Sequence, residues 1–396
     1  MQSAMQEQHL GNVLVVGGCG FMGHHLVKAL LKEAMIGQVS VFSRNPRENR
    51  HPGVSYHTGD ISSFQQVSSL LEETMPRVIF HVASPDPYVD PPNHLLYRRV
   101  NVDGTANLLA CAAVAPSVVA LVYTSSLTVY GYDDRGEILN ADETHHILNG
   151  PVTKEDPYPA SKALADAQVL VANNPSFSRC NFEGCSHPHL RTACVRIPGI
   201  YGEGDENMTM LGLQLARYGL SSVQLGNNTT LFDPIYVGNA VFGHMLAAKA
   251  LLTELRMDID NSRKGINPVV EQSGDQICGE AFNITDDLPS PFWFYMRKFY
   301  AAAGYEPGPR NIWIVPTSLV FFIALVTEYF FWIVFRGKRR PQILIRSKLE
   351  HLCMNRTYNV NKAKKRLGWY AIVPIDAAIE SSVKWGLDRL TAEKRR

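Results

Sequence analysis

The 396-residue chain carries almost no excess of either charge, with 38 lysines and arginines against 37 acidic residues. No global field gathers a polyanion, and no nucleic-acid motif occurs, so nucleic acid is not an expected partner. Patterned cysteine is missing too. The seven cysteines (19, 111, 180, 185, 194, 278 and 353) are odd in number, without a C-x-x-C pair or metal spacing, which suits a reducing compartment and no metal. Cys180 and Cys185 stand close to His187 and His189, but Asn173 to Pro188 reads as a polar loop rather than a zinc site. Met1 to Leu10 lacks the apolar core of a secretory signal, so none is expected before the fold, and the N-x-T triplets at Asn207, Asn228 and Asn283 read as accidental.

One long apolar run stands out. Ile312 to Phe335 is broken only by Pro316, two threonines, Ser318 and Glu328, and Arg336, Lys338, Arg339 and Arg340 follow at once. Its length matches the roughly 20 residues that cross a bilayer, and its aromatics and basic flank suit an interfacial anchor. A buried core helix is the competing reading, because Pro316 and Glu328 are costly in lipid.

Near the beginning, Asn12 to Val16 is a short β-branched run of the kind that forms a buried parallel strand. It leads into Gly17-Gly18-Cys19-Gly20-Phe21-Met22-Gly23 and then an apolar-periodic helix over His24 to Glu33. Glycines in such a strand–turn–helix permit the tight turn and let main-chain N–H groups and the helix N-terminus approach a dinucleotide pyrophosphate. The second strand, Val39 to Phe42, ends at Ser43-Arg44 with Arg47 close by. An acid there would take the ribose 2′-hydroxyl of NAD, whereas a small residue followed by arginine suits the 2′-phosphate of NADP, so NADP is favoured over NAD.

Further on, Asp60-Ile61 closes a third strand, with Asp60 read both as a partner for the adenine amine and as a helix cap shared with Ser62 and Ser63. Arg77 to Val82 is a fourth strand, and the small residues Ala83 and Ser84 let main chain approach a cofactor ribose. Tyr97 to Ala113 reads as a helix whose Asn101 would steady a neighbouring strand or a proton-relay water. Val118 to Tyr123 is the fifth strand and ends in Thr124-Ser125-Ser126, the position at which open α/β sheets bind ligands.

Tyr158 and Lys162 stand four residues apart at the start of a helix, which stacks both side chains on one face. A free tyrosine has a pKa of about 10 and is a poor base near neutrality unless a fixed cation stabilises its phenolate. Lys162 supplies that cation, and the pair would then take a proton from an alcohol while hydride leaves the same carbon.

Taken together, the glycine turn, Asp60-Ile61, Thr124-Ser125-Ser126 and Tyr158-x-x-x-Lys162 resemble an extended short-chain dehydrogenase/reductase. The chain is similar more narrowly to the 3β-hydroxysteroid dehydrogenase branch and its fungal decarboxylating sterol-4α-carboxylate 3-dehydrogenases. The closer features are Val15 to His25, Asn140-Ala141-Asp142-Glu143, Arg196 to Asp205 and Gln224 to Asn228. The resemblance implies a Rossmann-type doubly wound parallel sheet with a smaller substrate lobe. It makes Tyr158 the proton acceptor, Lys162 the ribose ligand that depresses the tyrosine pKa, and Ser126 the residue that orients the substrate oxygen. Ser125 is the alternative by one register, and Pro198 would lie beside the nicotinamide. The family often has an acid where this chain has Ser43.

The expected divisions are a polar tail (1–11), a dinucleotide-binding core (12–198), a substrate lobe with returning core elements (199–311), the apolar segment with its basic flank (312–340) and closing elements (341–396). A single crossing of the bilayer would strand those closing elements on its far side. A monotopic or hairpin association with the cytoplasmic face of the endoplasmic reticulum is therefore expected. The implied reaction is oxidation of a 3β-hydroxyl on a sterol or triterpenoid 4α-carboxylate, with loss of carbon dioxide. The implied assembly is a homodimer or a complex with other sterol-pathway enzymes. The rivals are a 3β-hydroxysteroid dehydrogenase without decarboxylation, a nucleotide-sugar epimerase or dehydratase on the same core, and a membrane-bound binding protein that has lost turnover.

Overall fold

The computed structural model describes residues 9–87, 92–153, 157–173, 189–264, 276–306, 308, 311–336, 341 and 346–394. The chain begins with β1 (Gly11–Val16), α1 (Phe21–Leu30), β2 (Ile36–Ser43), β3 (Ser55–Thr58), α2 (Phe64–Thr74) and β4 (Val78–His81). Next come α3 (His94–Tyr97), a π-helical segment (Arg98–Asp103), α4 (Gly104–Val114), β5 (Ala120–Ser126), β6 (Ile138–Ala141), α5 (Pro157–Ala172) and β7 (Arg191–Ile197). Then follow β8 (Ile200–Tyr201), α6 (Met208–Arg217), β9 (Val223–Leu225), β10 (Leu231–Phe232), β11 (Ile235–Tyr236), α7 (Val237–Arg263) and β12 (Glu280–Asn283). The chain ends with β13 (Ser290–Pro291), α8 (Phe292–Ala302), β14 (Trp313–Val315), α9 (Thr317–Val334), α10 (Arg346–Leu352), β15 (Arg356–Tyr358), α11 (Asn361–Leu367) and α12 (Ile375–Lys394).

Seven strands form one parallel sheet in the order β12-β7-β5-β4-β1-β2-β3. The order reverses between β1 and β4, which is where a doubly wound sheet opens a crevice at the carboxyl ends of its strands. β1 explains why both faces are covered. Val13 and Val15 point into a core shared with α1 and α7, while Leu14 and Val16 point into a second core with α2 and α4. A strand buried on both sides reads as a continuous apolar run because neither set of alternating side chains meets water.

Three elements differ from the sequence expectation. α1 begins at Phe21 rather than His24, because Gly20 is its N-cap and Gly23 lies inside its first turns. A Cβ on Gly23 would stand 2.2 Å from the Gly17 carbonyl oxygen, so that glycine serves close approach rather than chain reversal. The helix expected over Tyr97 to Ala113 is interrupted by the π-helical segment containing Asn101. Such wide turns displace a side chain from regular α register and are frequent at functional sites. The apolar run also divides at Pro316: residues Trp313–Val315 are strand, and α9 follows.

A second sheet, β13-β10-β15-β6, is assembled from distant parts of the chain. Its β15 lies beyond α9 in sequence and pairs with both β10 and β6. α11 contacts α7 and β12, and α12 contacts α6 and α8, so the chain leaves the body at Pro316 and has rejoined it by β15. Of the 18 residues of α9, Ala324 alone is buried, which removes the core-helix reading. Arg336 is described, but the rest of the basic run, 337–340, lies outside the described residues, as do the tail 1–8 and Cys180, Cys185 and His187.

Candidate active site

The carboxyl ends of β1, β4, β5 and β7 carry most of the candidate residues to one edge of the sheet. Gly17 follows β1 with a φ of +90°, and a Cβ there would meet the Ala83 main chain at 2.7 Å. The glycine turn and the Ala83-Ser84 segment are therefore in contact. Gly18 is equally constrained, since a Cβ would press on Val41 at 2.7 Å. α1 then opens with no side-chain cap and no acid in its first turn. An uncapped helix N-terminus without an acid of its own can receive an anion. Cys19 and Met22 flank the turn, with the Cys19 thiol pushed up by burial against a hydrogen bond with Ser43.

At the end of β2, Ser43 is half-buried and Arg44 and Arg47 are exposed, with no carboxylate among the three. Asp60 lies next door. Burial opposes its charge, but the main-chain N–H and hydroxyl of Ser62, at 2.9 and 2.8 Å, and the Arg99 guanidinium at 3.7 Å outweigh that and hold its carboxyl below the usual range. The cap of α2 is Ser63, whose hydroxyl receives the Gln66 N–H. Ile61 is buried against Gly104, where a Cβ would fall 2.6 Å from its side chain.

Tyr158 and Lys162 occupy the first turns of α5, which opens at Pro157, a residue preset for that position. Tyr158 is half-buried, its ring edge-on to Tyr97 at 5.8 Å between centroids. Lys162 is 2% exposed; its ammonium donates to the Thr124 carbonyl oxygen at 2.5 Å and lies 4.4 Å above the Tyr123 ring. Burial pulls the Lys162 pKa down to about 7, partly opposed by the charge of Asp166 one turn along α5. Asp166 is itself held by Arg196 of β7 through two hydrogen bonds of 3.1 and 2.6 Å.

The two serines of β5 differ in environment. Ser126 accepts from the main chain and hydroxyl of Thr128 at 3.2 and 2.9 Å, whereas the buried hydroxyl of Ser125 has no partner among the described residues. Asn101 donates to Ser161 at 3.0 Å, and Ser161 donates to the Tyr158 carbonyl at 2.8 Å, which ties the π-helical segment to α5. Pro198 follows β7 at the same sheet edge, half-buried.

Four residues around Lys162 were not singled out by the sequence. His244 of α7 pairs through Nε2 with the Thr124 hydroxyl at 2.8 Å and through Nδ1 with the Ala240 carbonyl at 2.7 Å. His81 of β4 pairs with Thr105 at 2.9 Å, and its ring lies tilted against that of Tyr123 at 5.1 Å between centroids. Burial lowers His244 to about 4 and His81 to about 3, and raises the Tyr123 phenol. Asp166 had a readable signal, standing four residues from Lys162 on one helix face. The histidines had none. Among the described residues no group of three or more His, Cys, Asp or Glu is placed to hold a metal.

The model of the 3-beta hydroxysteroid dehydrogenase/isomerase family matches residues 14–315. A decarboxylating sterol-4-alpha-carboxylate 3-dehydrogenase of Candida albicans is 32% identical over 390 residues, covering 96% of this chain and 98% of its own. The enzyme of that name from Schizosaccharomyces pombe is 31% identical over 381 residues, covering 95% and 97%. Among solved structures, the Bordetella bronchiseptica enzyme WbmF in complex with NAD+ superposes with a TM-score of 0.64 at 18% identity, covering 98% of this chain and 96% of its own. A Thermus thermophilus UDP-glucose 4-epimerase with NAD gives 0.63 at 20%, covering 95% and 99%. These structural likenesses establish the shared fold.

Proposed function

Because the chain belongs to the 3-beta hydroxysteroid dehydrogenase/isomerase family, we propose that it oxidises the 3β-hydroxyl of a sterol or triterpenoid 4α-carboxylate to the ketone with loss of carbon dioxide. Its main support is the bond from Lys162 to Thr124, which fastens the helix that carries Tyr158 to the end of β5 and its serines, in a chain about 30% identical over nearly its whole length to enzymes bearing that name. The nicotinamide cofactor, when bound, accepts the hydride from C3. Gly17, Gly18, Gly20 and the first turn of α1 would hold its pyrophosphate, with Phe21, Met22 and Gly23 shaping that turn.

Tyr158 takes the hydroxyl proton as C3 gives up hydride, and the charge of Lys162 lowers the cost of the phenolate. Ser126, with Ser125 as the alternative, hydrogen-bonds the reacting oxygen. The product is a β-keto acid. Its carboxylate leaves without a dedicated residue because the electrons of the breaking bond delocalise into the new carbonyl. A nucleotide-sugar reaction on the same core gains nothing from an 18-residue apolar helix that the protein leaves uncovered.

The cofactor we propose is NADP in preference to NAD, since Ser43-Arg44 offers a cation and no carboxylate at the end of β2. α9 is proposed as a monotopic anchor on the cytoplasmic face of the endoplasmic reticulum. Support comes from its exposure and from β15, α11 and α12, which return to the body after it. Incubating the detergent-purified enzyme with NAD or NADP and a panel of 4-carboxysterols, 3β-hydroxysteroids and UDP-sugars tests the reading. Reduced cofactor and carbon dioxide should appear together with a 4-carboxysterol. Turnover of a UDP-sugar alone would overturn it.

A further inference from the structure

The uncovered apolar surface does not begin with α9. Among the described residues β14 pairs only with β9, in a parallel two-stranded ribbon with Trp313 opposite Val223 and Ile314 opposite Gln224. Successive residues of a strand point to opposite faces. Trp313 is 76% exposed and Ile314 61%, so β14 presents apolar side chains on both of its faces, while β9 beside it buries Gln224 against Arg297. The chain entering β9 continues the surface: Tyr218, at the end of α6, is 78% exposed, and Leu220, three residues before β9, is 41% exposed. Arg217 is exposed beside them. A Cβ on Gly226 would come within 2.9 Å of Thr317, so the first turn of α9 rests on the end of β9. Isolated exposed apolar residues are ordinary, but this set is contiguous with a bare apolar helix.

We propose that the β9–β14 ribbon and the end of α6 form a second membrane contact, which seats the globular body on an anionic phospholipid bilayer beside α9. The inference rests on reading α9 as an anchor. A flat protein surface covers one face of a strand, whereas lipid takes up both, and both faces of β14 are exposed. Tryptophan and tyrosine favour the headgroup boundary, where an apolar ring is buried and its polar atom stays wet. Arg217 and Arg336 supply positive charge at the two ends of this surface for anionic headgroups. With two contacts the body cannot swivel freely about Pro316, and the lobe that follows Pro198 is held at a fixed height above the membrane.

The test uses the full chain with Trp332→Phe, to remove the tryptophan of α9, and vesicles of phosphatidylcholine with a minority of phosphatidylserine. Lipids brominated along the acyl chain should quench part of the emission, and that part should vanish in Trp313→Phe. Trp313→Ala combined with Tyr218→Ala should weaken vesicle binding about tenfold, with cofactor binding unchanged. If the chain floats with vesicles but Trp313 is not quenched and the double variant binds like its parent, the ribbon proposal is overturned while the anchor stands. Failure of the parent to float at all overturns both. A parent that is dimeric in solution and becomes monomeric in the double variant assigns the ribbon to a second copy of the chain instead.

Discussion

The ammonium of Lys162 donates to the main-chain oxygen of Thr124 at 2.5 Å, and this one bond fastens the first turns of α5 to the carboxyl end of β5. The consequence for chemistry is that the cation beside Tyr158 does not depend on a flexible stem. It is fixed by main chain, set above the Tyr123 ring and largely dry. A cation in such a site acts more strongly on a neighbouring phenolate than one in water.

Tyr158→Phe should therefore lower kcat by about a hundredfold or more while the cofactor still binds, since only the proton acceptor is lost. Lys162→Met should retain some turnover but move the rising limb of the kcat/KM profile towards the ordinary tyrosine pKa of about 10. Steady-state kinetics across pH, with cofactor binding followed by fluorescence, checks both. A Tyr158→Phe enzyme as fast as its parent would remove that residue from the mechanism.

His244 is buried, with Nδ1 donating to the Ala240 carbonyl and Nε2 paired with the Thr124 hydroxyl, which satisfies both ring nitrogens of the neutral ring. Its pKa is lowered to about 4 by burial, against an ordinary value near 6.5. Below pH 6.5 the unfolded chain therefore binds a proton that the folded chain refuses, and stability falls as the pH drops from 6.5 to about 4. His244→Gln should flatten that slope, recovering roughly 2 kcal/mol of the acid-induced loss at pH 5. Denaturant midpoints of parent and variant at pH 7 and pH 5 make the comparison; parallel losses in the two proteins would show that His244 does not titrate in this way.

At the cofactor end, Ser43→Asp with Arg44→Ala should move preference from NADP towards NAD by an order of magnitude or more, because a carboxylate accepts from a ribose hydroxyl and repels a phosphate. The ratio of kcat/KM values for the two cofactors measures it. An unchanged ratio would mean that these side chains do not meet the ribose.

Much of the main sheet was legible because its strands are short, β-branched and buried on both faces, as at Asn12 to Val16 and Arg77 to Val82. The turn that follows β1 was legible because its glycines meet other main chain, at Ala83 and Gly17, and little else fits. What stayed hidden has physical reasons. Strands of two residues, such as β10 and β13, are too short to carry a period, and their sheet joins segments more than two hundred residues apart. The wide turn at Asn101 leaves no compositional mark. His244 lies among Val241, Phe242, Met245 and Leu246 of α7, where a lone histidine resembles any other interruption. Pro316 did mark the division of the apolar run, but the pairing of Trp313–Val315 with β9 depends on a partner ninety residues earlier in the chain.

The pair formed by Asp166 and Arg196 bears on both stability and the site. Each is 1% exposed, and Arg196 also donates to Tyr130 at 3.0 Å, which in turn donates to Asn283 at 2.7 Å. Thus α5, β7 and β12 share one buried polar chain beneath Lys162. Removing one member leaves the other ionised without compensation, so Asp166→Asn should cost about 3–5 kcal/mol in denaturant unfolding. Asp166→Leu with Arg196→Met should recover most of that loss, because neither charge then remains unpaired. The two variants separate stability from chemistry. In the double variant Lys162 loses the carboxylate that supports its charge, its pKa falls further below about 7, and proton transfer by Tyr158 weakens although the fold is restored. A double variant as stable as the parent and equally active at pH 7 would show that Asp166 serves the fold alone.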